Sequence, residues 1–97
     1  MSMHFISGSQ ARSLIEQAQA QLVDVRSPEE FGRGAAPGAI NIPLHVLPVH
    51  ASQLDPKRPV VVYCLSGGRS AQAKALLNRL GFDTVHNLGS LQQYFSS

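Results

Sequence analysis

A single cysteine fixes where chemistry can happen in this 97-residue chain, because Cys64 carries its only thiol. Ahead of it, Val60-Val61-Val62-Tyr63 is apolar without alternation, the pattern of a short strand buried on both faces. Behind it, Leu65-Ser66-Gly67-Gly68-Arg69-Ser70 leads into good helix formers with Ala73, Leu76, Leu77 and Leu80 at helical spacing. Cys64 therefore stands where a strand ends and a loop opens into a helix. Ligands collect at the carboxyl ends of strands in parallel sheets, and the start of a helix offers unpaired N–H groups and a positive dipole end. Gly67 and Gly68 free the loop to turn successive N–H groups inward as an anion nest, and Arg69 adds a permanent cation. Such a site favours thiolate, and comparable environments lower a thiol pKa from about 8.5 into roughly the 3.5 to 7.5 range. The plain alternative is a small buried core cysteine. The strand-end address, before Gly-Gly-Arg, favours a partly exposed nucleophile instead. Arg69 needs a reason of its own, since a cation at a helix N-terminus opposes the dipole.

The remaining segments are the scaffold for that loop. His4 to Ile6 reads as a short edge strand, and Ser7-Gly8-Ser9 as a turn capping a helix from Gln10 to Ala20 with Ala11, Leu14, Ile15 and Ala18 on one face. Leu22-Val23-Asp24-Val25-Arg26 is a strand with charges near its end. Ser27-Pro28-Glu29-Glu30 is a capping box with proline at the first helical position. Gly32 to Gly38 is a loop, Ala39 to Ile42 a short strand stopped by Pro43, and Leu44 to Leu54 a set of helical turns interrupted at Pro48. Asp55-Pro56-Lys57-Arg58-Pro59 is a surface turn into the central strand. The helix after Ser70 ends at Gly81. Thr84 to Asn87 supplies a last strand and Ser90 to Phe95 a last short helix. Strands alternating with helices at this spacing predict an α/β fold, a parallel sheet of about five short strands with helices on both faces and right-handed crossovers.

Composition narrows the function classes. The length suits one domain spanning residues 1–97, with a core that needs no disulfide or metal. An apolar fraction of 43% and a charged fraction of 14% are globular values. The formal net charge of +2 comes from scattered residues with no Lys/Arg run, which argues against nucleic acid and mildly favours small anions. One cysteine excludes an internal disulfide, a Cys-x-x-Cys pair and a thiolate zinc cluster, so no metal and no cofactor are expected. His45 and His50 flank Pro48 at a spacing that does not share a helix face, and His4 and His86 stand alone. No apolar run could span a bilayer, and the first residues lack a signal-peptide pattern. Cytoplasm is the expected compartment, or the periplasm if a leader has been removed.

Taken together, Leu22-Val23-Asp24-Val25-Arg26, Glu30-Phe31, Gly34, Pro37-Gly38-Ala39-Ile40-Asn41-Ile42-Pro43 and Val62-Tyr63-Cys64 through Gly67, Arg69 and Ser70 resemble the single-domain rhodanese (sulfurtransferase) family of the phage-shock type, over nearly the whole chain. The resemblance implies a rhodanese-like fold and a thiosulfate or persulfide sulfurtransferase. Cys64 would accept a sulfane sulfur as a persulfide and pass it to cyanide or a thiol, a protein thiol included. It also implies that loop N–H groups from Leu65, Ser66, Gly67, Gly68, Arg69 and Ser70 steady the anionic sulfur, with Arg69 favouring an anionic donor. Asp24 and Arg26 match positions that support the site from behind. An ion pair of Arg26 with Glu30 that merely fixes the short helix is an equal alternative for these two. Two positions depart from the family pattern: Ala35 replaces a usual histidine after Gly34, and Leu88-Gly89-Ser90-Leu91 lacks a usual tryptophan.

Two other readings compete. A cysteine phosphatase or arsenate reductase also uses a cysteine, an anion loop and a closing arginine, but its pattern has five intervening residues. Here Leu65, Ser66, Gly67 and Gly68 alone lie between Cys64 and Arg69, a tighter ring suited to sulfur. A non-catalytic binding module of the same fold is the third reading, and the intact cysteine argues against it.

Overall fold

The computed structural model of the chain describes residues 4–96. Its centre is β3 (Val60–Cys64), every residue of which is buried, as the unbroken apolar run requires. β1 (Gln21–Asp24) lies on one side of it, β4 (Val85–Ser90) on the other, and β2 (Ile40–Asn41) outside β1, giving a four-stranded parallel sheet in the order β2-β1-β3-β4. The helices are α1 (Gly8–Ala18), α2 (Pro28–Gly32), α3 (Leu47–His50), α4 (Gly68–Arg79) and α5 (Leu91–Tyr94).

Alternation along β3 divides the core in two. Val60, Val62 and Cys64 pack with Leu47, Ala51, Ala73, Leu77 and Phe82, on the side of α3 and α4. Val61 and Tyr63 pack with Ala11, Leu22 and Leu88, on the side of α1 and α5. Full burial of a side chain such as Leu47 or Leu77 stabilises the fold by about 1.5–3 kcal/mol, so each layer is held to the sheet by its own apolar face. Because Cys64 falls on the α4 side, the sulfur and the start of that helix meet.

Among the described residues four strands form where about five were expected. The segment from His4 to Ile6 contributes only a single parallel bridge, Phe5 to Asn87, with the Ile6 N–H donating to the Asn87 carbonyl at 3.0 Å. The reason is Ser7, which caps α1 through its side chain: the Gln10 N–H donates to its Oγ while the Gln10 side chain accepts the Ser7 N–H. The chain must leave the sheet to make that box, so pairing stops after one residue. The same cap starts α1 two residues before Gln10. At its other end Gln19, left-handed at φ 56°, stops it short of Ala20.

Other boundaries shift for similar local reasons. Pro48 opens α3 in its first turn, where a missing N–H costs nothing, instead of interrupting a helix. β4 runs on to Ser90 because a bulge between Val62 and Tyr63 brings Gly89 opposite Tyr63. Gly89 has φ 93°, and its N–H donates to the Asn87 side chain at 2.9 Å, which stabilises the irregularity. β2 shrinks to Ile40–Asn41 between Gly38, left-handed at φ 80°, and Pro43.

Candidate active site

The thiol lies at the floor of a turn that folds back on it. Gly67 takes φ 104°, a conformation open to glycine, and so caps α4 with its N–H aimed backwards at the Cys64 Sγ at 3.0 Å. The Ser70 N–H, in the first turn of α4, points to the same sulfur at 3.4 Å, and the Ser70 Oγ lies 3.4 Å from it. That hydroxyl also reaches the Gly67 carbonyl at 3.1 Å and the Gly89 carbonyl at 3.4 Å, so it ties the loop to β4. Burial pushes the Cys64 thiol up, but hydrogen bonds from the Ser70 side chain and the backbone of Ser70, Gly67 and Ser66 together bring it below its ordinary value. The balance makes the thiolate easier to form than in an unperturbed cysteine.

Of the six loop residues proposed from sequence, Gly67 and Ser70 touch the sulfur directly. Leu65 instead presents its side chain outward and is 62% exposed, and Gly68 is also exposed. Cys64 is 1% exposed as a residue, so the partly open cysteine expected from sequence is corrected to a buried one. The cover is the Gly67 turn, which places backbone over the sulfur.

Arg69 has a carboxylate partner that sequence reasoning missed. Its Nη1 and Nη2 donate to Glu30 Oε1 at 2.7 Å and Oε2 at 3.0 Å, a two-pronged pair between α4 and α2. This partner answers why a cation tolerates the start of a helix. Glu30 is held down to about 2, first by Arg69 and then by the Ser27 backbone, whose N–H donates to Oε1 at 3.0 Å. The capping box was legible as Ser27 to Glu30; the second use of the same carboxylate had no signal along the chain, since Arg69 is remote in sequence.

Asp24 and Arg26 are brought together, and the alternative pairing of Arg26 with Glu30 is not made. Arg26 Nη2 and Nε meet the Asp24 carboxylate at 2.7 and 3.0 Å, with both residues buried. Arg26 Nη2 also donates to the Gly34 carbonyl at 2.7 Å, and its guanidinium lies 5.7 Å from the centre of the Tyr63 ring. The Tyr63 hydroxyl in turn accepts the Ala36 N–H at 3.0 Å. The pair thus fixes the connection from α2 to β2 against the face of β3 opposite the sulfur. It reaches Cys64 through the strand and not by contact.

An open cleft of about 460 Å³ lies beside Arg69, walled by Val25, Pro43, Leu44, His45 and Gln72 among others. Among the described residues no group of three or more His, Cys, Asp or Glu side chains could hold a metal ion, and no helix is long and apolar enough to cross a membrane.

A parallel α/β sheet that ends its central strand in a cysteine beneath a turn of inward N–H groups defines a class, and comparison with known proteins names it. Residues 7–96 match the rhodanese-like domain, and the chain belongs to that family. The sulfurtransferase of Allochromatium vinosum is 40% identical over 82 residues, 84% of this chain and 77% of that protein. The thiosulfate sulfurtransferase PspE of Escherichia coli is 39% identical over 72 residues, 72% of this chain and 69% of the relative. The human single-domain sulfurtransferase TSTD1 superposes with a TM-score of 0.80 at 31% identity, covering 97% of this chain and 96% of its own. These relatives place the chain in a family whose named members are sulfurtransferases.

Proposed function

We propose that the protein transfers a sulfane sulfur from thiosulfate or a persulfide donor to a thiol or cyanide acceptor by way of a persulfide on Cys64. The observation that carries this reading is the convergence of the Gly67 N–H and the Ser70 N–H on one sulfur atom, with the Ser70 hydroxyl 3.4 Å from it. A donor set of that kind stabilises the Cys64 thiolate, both as the attacking nucleophile and as the group that leaves when the sulfur is passed on.

The steps balance without an outside oxidant. The Cys64 thiolate attacks the outer sulfur of thiosulfate, the sulfur–sulfur bond of the donor breaks, and sulfite leaves with the electron pair. The outer sulfur of the resulting persulfide is then attacked by cyanide or by an acceptor thiolate, a protein thiol included, and the Cys64 thiolate is regenerated. Two displacements at one nucleophile need no further catalytic group. PspE, by its name, uses thiosulfate, which supports that donor here. A thiol acceptor suits a reducing compartment such as the cytoplasm.

Mass spectrometry of the intact protein after incubation with thiosulfate tests the proposal. The wild type gains one sulfur atom, which cyanide then removes, while Cys64→Ser gains none. A wild-type mass unchanged by thiosulfate and by a glutathione persulfide donor overturns it.

A further inference from the structure

Phe5 leaves 43% of its surface in water, so its ring is a cover and not a core residue. What it covers is the back of the loop that follows Cys64. A methyl group at Gly67 would stand 2.6 Å from the Phe5 Cζ, and one at Gly89 would stand 3.3 Å from Cγ, Cδ1 and Cδ2. The ring therefore lies lengthwise, its base on Gly89 and its tip on Gly67. Both glycines have positive φ, and both hold the sulfur's surroundings: Gly67 through its N–H to Sγ, Gly89 through its carbonyl to the Ser70 hydroxyl. The backbone of this segment is pinned beside Asn87, which keeps the ring in register with the two glycines.

We propose that Phe5 is a positioning residue for the loop, pressing the Gly67 turn so that its N–H stays on the Cys64 sulfur and water is kept from that donor. The aromatic tip does this because it occupies the space a side chain at position 67 would take. Gly67 alone is free to adopt many conformations, and the ring removes that freedom. The inference rests on the proposed role of Cys64 for its use in turnover, but the geometry of the thiolate can be read without turnover.

The test is a titration of the thiolate by its ultraviolet absorbance, with Cys64→Ser as the blank. Arg69 of α4 is coupled to this sulfur by charge and is paired in turn to Glu30 of α2, and both stay in place in the variants. Phe5→Ala raises the titration midpoint by about 0.5 to 1 pH unit, the scale of weakening one hydrogen bond to a charged group, and lowers the melting temperature slightly. Phe5→Leu keeps carbon over Gly89 but lacks the tip over Gly67, so it restores the melting temperature and leaves the midpoint raised. A Phe5→Ala or Phe5→Leu midpoint equal to wild type overturns the inference. A wild type that takes no sulfur from thiosulfate but shows the Phe5-dependent midpoint overturns the proposed reaction while supporting this role.

Discussion

Glu30 has two obligations, to the cap of α2 and to Arg69, and their competition should govern how an anionic donor is received. With Arg69 already neutralised, a dianion such as thiosulfate meets less positive charge than the sequence promises. Glu30→Gln keeps an oxygen for the cap and frees the guanidinium, so we expect the KM for thiosulfate to fall by about threefold to tenfold, with a smaller change for a neutral persulfide. Steady-state kinetics with both donors decides it: equal changes in the two would show that Arg69 shapes the loop and does not receive the donor. Cys64→Ser should abolish turnover while shifting the melting temperature little, because the hydroxyl fits the site but forms no persulfide; residual activity near a tenth of wild type would remove Cys64 from its proposed role, since losing a nucleophile costs orders of magnitude. At this scale the sequence disclosed the cysteine and its loop, because both lie in one stretch. It concealed Glu30 and Phe5, whose partners Arg69 and Gly67 are distant along the chain.

The element that transmits acid sensitivity is α2, whose five residues Pro28–Gly32 are anchored at both ends of one carboxylate. Glu30 titrates at about 2 instead of its ordinary 4.5, chiefly because of Arg69. A depressed carboxylate stabilises the fold fully above the unfolded value, and the contribution declines as pH falls toward the folded one. The stability difference between wild type and Glu30→Gln should thus be constant above about 4.5 and gone near 2, measured by urea midpoints across that range. A difference persisting at the acid end would mean that packing of the side chain, and not its charge, stabilises α2. Elements of this kind were readable because capping boxes and proline positions are local; α2 and the run of β3 appear where their residues predict. The edge position of His4 to Ile6 was readable but the extent of its pairing was not, since the Ser7 cap takes the chain off the sheet after a single bridge.

Across the whole molecule, the buried Asp24–Arg26 pair is the polar anchor between the sheet and the connection that follows α2. Arg26→Ala would leave the fully buried Asp24 carboxylate without its cation, a loss of about 3–5 kcal/mol. Adding Asp24→Asn should recover part of it, and denaturant curves for the single and double variants give the comparison. A loss under about 1 kcal/mol for Arg26→Ala would show that water replaces the guanidinium. The four-stranded order places β3 between β1 and β4, and its two faces are filled by different residues: Val60, Val62 and Cys64 toward one helical layer, Val61 and Tyr63 toward the other. That division gives the strand a parity. Side chains alternate with a period of two, so inserting or deleting one residue between Pro59 and Cys64 exchanges the layers and turns the sulfur toward α1, away from every donor at the start of α4. Length changes within β3 can be tolerated only in pairs, whereas the surface turn from Asp55 to Pro59 is free of that arithmetic.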